Sequence, residues 1–190
     1  MSFQIDISKF RLKQEYFDHV SSIHGISHTY RVMCHTLYIG TAAGLNRETE
    51  IALSAAYIHD LARKHDGYCN QHGLWSVQDK LPLFTGFFGM MGITDEEIMI
   101  ISEAVKNHSE ANELDTVNKA YIVTALLKDA DALDRIRLGD YNLDPTYLRF
   151  KESAGLIPFA KELFYRTINI NFSSFTEVLE IAKLIDLKTK

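Results

Sequence analysis

Proline is scarce in this chain of 190 residues, where Pro82, Pro145 and Pro158 are the only three. Helices therefore meet few obligatory stops. No alternating apolar-polar run reads as a strand, so the periodicity is helical nearly everywhere. Cysteine is almost missing. Cys34 and Cys69 form no CxxC pair and no disulfide pattern, which reads as two free thiols in a reducing compartment. No stretch approaches the ~20 apolar residues of a bilayer span. The first residues, MSFQIDISKFRLKQEYF, carry charges throughout and lack the apolar region of a signal peptide. A cytoplasmic protein without a membrane partner is expected. A basic excess is missing as well: 20 Lys and Arg stand against 25 Asp and Glu, a net charge of -5. That balance argues against nucleic acid as the main ligand. It leaves a small anionic substrate open, because a bound dication reverses the local field.

What is present fits one helical domain. At this length roughly 70% of the unfolded chain's surface is buried on folding, so no covalent staples are needed. The apolar spacing predicts helices at 8–20, 26–43, 47–63, 71–83, 94–108, 116–136, 145–153, 157–166 and 173–187. Gly44 fits the stop of the second and Asn46 the N-cap of the third. Thr94 with Glu97 makes a capping box before the fifth. The segments IALSAAYIHDLA and YIVTALLKDADAL are apolar on most sides and are expected at the centre. FTGFFGMMGI, residues 84–93, is expected to be a packed loop that serves a lid or a homodimer equally well.

The eight histidines all lie within the first 108 residues. His59-Asp60 closes a very apolar helix, where a buried carboxylate beside an imidazole is costly without compensation. A divalent cation supplies it. His28, Arg31, Val32 and His35 share one helix face by the i, i+3, i+4, i+7 rule. Ile101, Ala104, Val105 and His108 do the same, so His108 ends an apolar stripe and must satisfy its ring nitrogens. In KDADALDRIR, Asp131 continues the stripe of Thr124 and Leu127, whereas Asp129 and Asp134 lie on other faces that water can reach.

Read in order, these residues give H…HD…D: His28, His59-Asp60 and Asp131. That order resembles the HD superfamily of metal-dependent phosphohydrolases. HTYRV is similar to the family's H-x-x-R-V helix, AAYIHDLAR to its His-Asp helix and KDADALDRI to its DAD-x-L-D segment, over about residues 24–140. HDLARKHDGYCNQHGLWS further resembles a subgroup reading HD-x-x-R-x-x-DG…HG-x-x-S. The resemblance implies an all-α HD-domain bundle in one domain spanning 1–190, with a core at 24–140 and a C-terminal helical cover at 141–190. It implies metal ligands His28, His59, Asp60 and Asp131, with His72 and His108 as second-metal ligands or proton donors.

Such a set leaves coordination positions for water and a substrate oxygen, and a cation there lowers the pKa of water and polarises a phosphoryl oxygen. Mn, Fe, Mg, Zn, Co and Ni all suit mixed N/O ligands, at one or two ions per chain. Arg31, Arg63, Lys128 and Arg135 are candidates for the substrate's phosphate oxygens. For Arg31 and Lys128 a salt bridge is the plainer alternative. The expected activity is cleavage of a small phosphate ester or anhydride, with nucleotides in view. The alarmone hydrolases and deoxynucleotide 5'-nucleotidases of the superfamily carry an acidic residue where this chain has Arg63, which disfavours both. A di-iron oxygenase on the same ligand order and a non-catalytic metal-binding module are the alternatives.

Overall fold

The computed structural model describes residues 4–189. They form an all-α bundle, with no strand among the described residues. Four helices make its centre: α1 (Ile26–Ala43) and α2 (Asn46–Ile58), then α5 (Asp95–His108) and α6 (Tyr121–Leu133). α1 packs on α2 and α6, and α5 on both α2 and α6. Between α2 and α5 lie α3 (His72–Trp75), a π-turn at Ser76–Lys80 and α4 (Leu81–Met90). Beyond α6 come a 3-10 turn at Asp134–Leu138, α7 (Lys151–Gly155), α8 (Ile157–Thr167) and α9 (Phe175–Thr189). No helix among the described residues is long and apolar enough to cross a membrane.

Local chemistry explains the boundaries. α1 stops at Gly44, whose φ of 74° suits glycine and whose N–H bonds back to the Gly40 and Thr41 carbonyls. α5 starts with the expected capping box, the Thr94 hydroxyl accepting from the Glu97 N–H while the Glu97 carboxylate accepts from the Thr94 N–H. α2 begins at Asn46 itself rather than after it, with no side-chain cap. Its Ile51, Leu53, Ala55, Ala56 and Ile58 are buried, as the all-round apolar segment predicts. α8 and α9 pack on each other and α9 on α1, burying Leu163, Phe175 and Val178 completely.

Four expectations change, one of them at 145–153, which is not one helix but a 3-10 turn at Pro145–Tyr147 followed by α7. Residues 8–20 are not a helix but an extended strap with 3-10 turns at Ile7–Lys9 and Gln14–Tyr16. Phe10, Leu12 and Phe17 are buried along it, and Tyr57 Oη donates to the Arg11 carbonyl at 2.7 Å. The apolar residues were spaced for a strap lying across the bundle, where each is worth ~1.5–3 kcal/mol of burial. Residues 84–90 are helix rather than loop, because Phe84 and Phe88 enter the core. Gly86 and Gly89 face open space, and their ~1 kcal/mol helix penalties are offset by that burial. Finally, α2 ends at Ile58, which puts His59 and Asp60 in the turn that follows it.

Candidate metal centre

The histidines and aspartates of interest sit where helices begin or end. His28 is in the first turn of α1, His72 opens α3, His108 closes α5 and Asp131 lies in the last turn of α6. His59 and Asp60 follow α2 directly. All except Asp131 are buried, while the Asp131 side chain stays 29% exposed. The ends of α1, α2, α3 and α5 thus meet around Asp60. His28, His59 and Asp60 offer donor atoms within 4.8 Å of one another, and so do Asp60, His72 and His108.

The proton positions on these rings follow from their neighbours. His59 Nδ1 lies 2.7 Å from the Ala56 carbonyl, His72 Nδ1 2.7 Å from the Cys69 carbonyl and His108 Nδ1 2.5 Å from the Val105 carbonyl. A carbonyl oxygen only accepts, so each Nδ1 carries the proton and donates it. His28 Nδ1 likewise donates to Asp134 Oδ2 at 2.7 Å. In the neutral rings every Nε2 is then a bare lone pair. For two of the rings burial favours the neutral form, drawing the His59 pKa down from 6.5 to about 3 and lowering that of His72 in the same direction.

The four bare nitrogens face one another and Asp60. His28 and His59 bring their Nε2 atoms to 3.3 Å, and His72 and His108 theirs to 2.9 Å. Neither contact is a hydrogen bond between neutral rings in this tautomer, because no proton lies between the atoms. Asp60 Oδ2 lies 3.4 Å from His28 Nε2 and 3.6 Å from His59 Nε2. Asp60 Oδ1 lies 3.1 Å from His72 Nε2 and 3.8 Å from His108 Nε2. One carboxylate thus divides its oxygens between two imidazole pairs. Convergent lone pairs of this kind repel in a dry interior, and a cation at each pair turns the repulsion into ligation. The donor set fits divalent metal.

Asp131 stands beside the first group, its Oδ1 lying 3.4 Å from His28 Nε2. That oxygen is buried and has no hydrogen-bond partner, as an atom reserved for a metal would be. Burial raises its pKa, but Arg137, His28 and His59 outweigh that effect and hold it at about 2. Behind it, Asp134 accepts from Arg31 Nε at 2.6 Å and Arg31 Nη2 at 3.0 Å, as well as from His28. A carboxylate behind a ligating histidine fixes the ring's tautomer and orientation. Asp134 was read from the sequence as open to water, and it is buried. Asp129 is buried too, accepting from the Arg149 and Phe150 N–H groups and from Ser153 Oγ. Partners supplied by distant segments removed both from solvent.

The four candidate phosphate contacts differ in how far they are committed to other partners. Arg31 is buried and committed to Asp134. Lys128 donates to the Asn112 carbonyl at 2.8 Å and to Glu113 at 3.2 Å. Arg63 Nε donates to Asp60 Oδ1 at 3.1 Å, with Nη1 on the Gly67 carbonyl. Of the four only Arg135 is exposed, its Nε on the Asn142 carbonyl. Lys128 and Arg135 line a cavity of about 640 Å³ beside the centre, which His108 and Asp131 also border. The exposed Tyr68, Tyr141 and Tyr147 stand around its rim.

Two residues of this neighbourhood were given no role by the sequence. Arg137 Nη1 is buried 3.7 Å from Asp131 Oδ1 and 3.9 Å from Asp134 Oδ2. Its signal is faint: it lies three residues beyond Asp134, in a stretch that reads as helix end. His35 is fully buried with both ring nitrogens unpartnered, its ring edge-on to Phe159. Its position seven residues after His28 placed it on the inward face but gave it no role. No protein-family model, curated protein or solved structure matches the chain, so the paired imidazoles on Asp60 remain a candidate metal centre on their geometry alone.

Proposed function

We propose that the chain is a metal-dependent phosphohydrolase of the HD superfamily that cleaves a small phosphate ester or anhydride, nucleotides among them. The observation that carries this reading is the convergence of four bare imidazole nitrogens on the shared Asp60 carboxylate. His28, His59, Asp60 and Asp131 would hold one divalent ion, and Asp60, His72 and His108 a second. A cation so held supplies Lewis acidity, which lowers the pKa of water and polarises a phosphoryl oxygen.

The chain's own residues supply the rest. Asp134 keeps the His28 ring oriented with Nε2 toward the centre. The substrate would enter the cavity bordered by His108, Asp131, Lys128 and Arg135. Arg135 is free to turn its guanidinium to a phosphate oxygen, whereas Lys128 does so by releasing Glu113. Arg63 steadies Asp60 from the protein side and takes the place of an acidic group there.

Metal content per chain is the first measurement, followed by phosphate or pyrophosphate release from a panel of nucleotides and phosphate esters with manganese or cobalt. Turnover is expected with at least one of them, and its loss in the double variant His59→Ala/Asp60→Ala. Turnover retained in that variant refutes the site. An oxygen-dependent product from a two-iron protein, without phosphate release, assigns the centre to oxygenase chemistry instead.

A further inference from the structure

Five of the nine tyrosines are buried or half-buried, while Tyr68, Tyr141, Tyr147 and Tyr165 are more than half exposed. Of these four, Tyr165 has a ring neighbour, with the Phe164 centroid 5.4 Å away. The other three meet no ring among the described residues, and all three line the cavity of about 640 Å³ beside the metal centre. A single exposed ring is ordinary on a protein surface. Three around one cavity are not scatter. Tyr68 follows α2, whereas Tyr141 and Tyr147 lie between α6 and α7, so proximity along the chain does not explain the meeting.

The wall behind these rings is polar but balanced. His108 and Lys128 are buried at the inner end, beside the partly exposed Asp131. Apart from Asp131, Lys128, Arg135 and Arg149 stand against Glu110, Glu113 and Asp144, three charges of each sign. Several are already matched. Glu113 accepts from Lys128 and from Arg149 Nε, and Asp144 accepts from the Thr146 N–H. Such a wall has no net charge with which to hold the body of a ligand. What the mouth presents instead is three unstacked ring faces, and a flat face pairs best with another flat face. A bare sugar or a short aliphatic chain has none to offer.

We propose that Tyr68, Tyr141 and Tyr147 determine what the centre accepts: a phosphate ester whose body is a planar aromatic ring system, of the nucleoside monophosphate class. The phosphate reaches the end bordered by His108 and Asp131, and the ring stacks on tyrosine at the mouth. The volume accommodates a ligand of that size. Every base has a π-face, so stacking of this kind tolerates any of them. Selection is therefore for the presence of a ring, not among rings. The proposal rests on the phosphohydrolase reading for its reaction, but the binding of a ring is measurable without turnover.

The test compares hydrolysis of adenosine and uridine 5'-monophosphates with that of ribose 5-phosphate. In parallel, calorimetry measures binding of benzylphosphonate and propylphosphonate, neither of which has an ester bond to cleave. The metal-loaded protein should show a lower KM for both nucleotides than for ribose 5-phosphate, and should bind benzylphosphonate more tightly than propylphosphonate. The variant Tyr68→Ser/Tyr141→Ser/Tyr147→Ser removes exposed rings only and leaves the core untouched. It should raise the nucleotide KM by about 10–100-fold with kcat held, as a loss of uniform binding requires. Ribose 5-phosphate should be unaffected. Tyr68→Phe/Tyr141→Phe/Tyr147→Phe keeps the rings and should retain the original KM. A serine variant that keeps the nucleotide preference overturns the proposal, and so does one that slows ribose 5-phosphate to the same extent. If no phosphate compound is hydrolysed, the phosphohydrolase reading fails and the phosphonates decide the tyrosines. A preference for benzylphosphonate that disappears in the serine variant supports ring selection, and equal binding of the two phosphonates overturns it.

Discussion

Asp134 shows how much one side chain decides in this molecule. It is buried, it holds the proton-bearing nitrogen of His28, and it takes two donors from Arg31. Asp134→Asn keeps the shape but removes the charge, leaving Arg31 buried without its counter-ion. The expected result is metal affinity weaker by about 10–100-fold, read by competition with a chromogenic chelator. Urea unfolding of the metal-free variant should show a loss of about 3–5 kcal/mol. His35 makes a separate prediction. Burial draws its pKa from 6.5 down to about 4, against the opposing pull of Asp134. The unfolded chain therefore takes up the proton first as acid is added. The stability tied to a neutral His35 is whole above about pH 6.5 and is lost as pH falls toward about 4. His35→Leu should flatten that part of the stability-pH curve by an amount of order 3 kcal/mol, measured by chemical denaturation at pH 7 and pH 4.5. An equal slope in wild type and variant would show that His35 does not titrate as its burial demands.

At the scale of elements, the second imidazole pair depends on how closely α3 lies on α5. A Cβ on Gly73 would fall 2.3 Å from the Val105 carbonyl, 3.1 Å from the Lys106 carbonyl and 3.1 Å from His108 Nδ1. Two of these atoms are backbone and cannot step aside. Gly73→Ala should therefore lift α3 from α5 and part His72 from His108. Metal analysis is expected to fall from two ions per chain to one, with the His28–His59 group still loaded. The capping box of α5 gives a smaller, local effect. Thr94→Ala should destabilise by about 1 kcal/mol, a fall of about 2–4 °C in Tm, with metal content unchanged. Thr94 and Glu97 were legible in the sequence because a cap involves residues three apart. So was the stop at Gly44. FTGFFGMM was not, because its glycines signal a loop while the burial of Phe84 and Phe88, decided by the rest of the bundle, makes it a helix.

For the whole molecule, the centre joins α1, α2, α3, α5 and α6, so its occupation bears on the stability of the entire bundle. Free metal at a thousand times its dissociation constant adds about 4 kcal/mol per site. Chelation should then lower Tm by about 8–16 °C for each ion removed, as seen by scanning calorimetry before and after treatment with a strong chelator. The central places of α2 and α6 were legible in the sequence from their all-round apolar spacing, and the meeting of His28, His59, Asp60, His72 and His108 from the order of the motifs along the chain. The second layer was not. Asp134 lies 106 residues from His28 and 103 from Arg31, and Arg137 is 114 residues from the carbonyl it bonds. No local pattern encodes such pairings; packing makes them.

In the proposed phosphohydrolase, the sharing of Asp60 would also govern how product leaves. Asp60 and Asp131 bring one negative charge each to the centre, while Asp134 is balanced by Arg31. A single dication is matched by that pair, leaving aside the neighbouring guanidiniums of Arg63 and Arg137. A second finds no further carboxylate among its ligands, only His72 and His108 with the other oxygen of Asp60. Fully loaded, the centre is left with an excess of positive charge, which Arg63 and Arg137 increase and a doubly charged oxyanion offsets in part. Inorganic phosphate would then leave slowly, and turnover should slow as it accumulates. Product inhibition should be sharper at metal concentrations that fill both positions than at those that fill one.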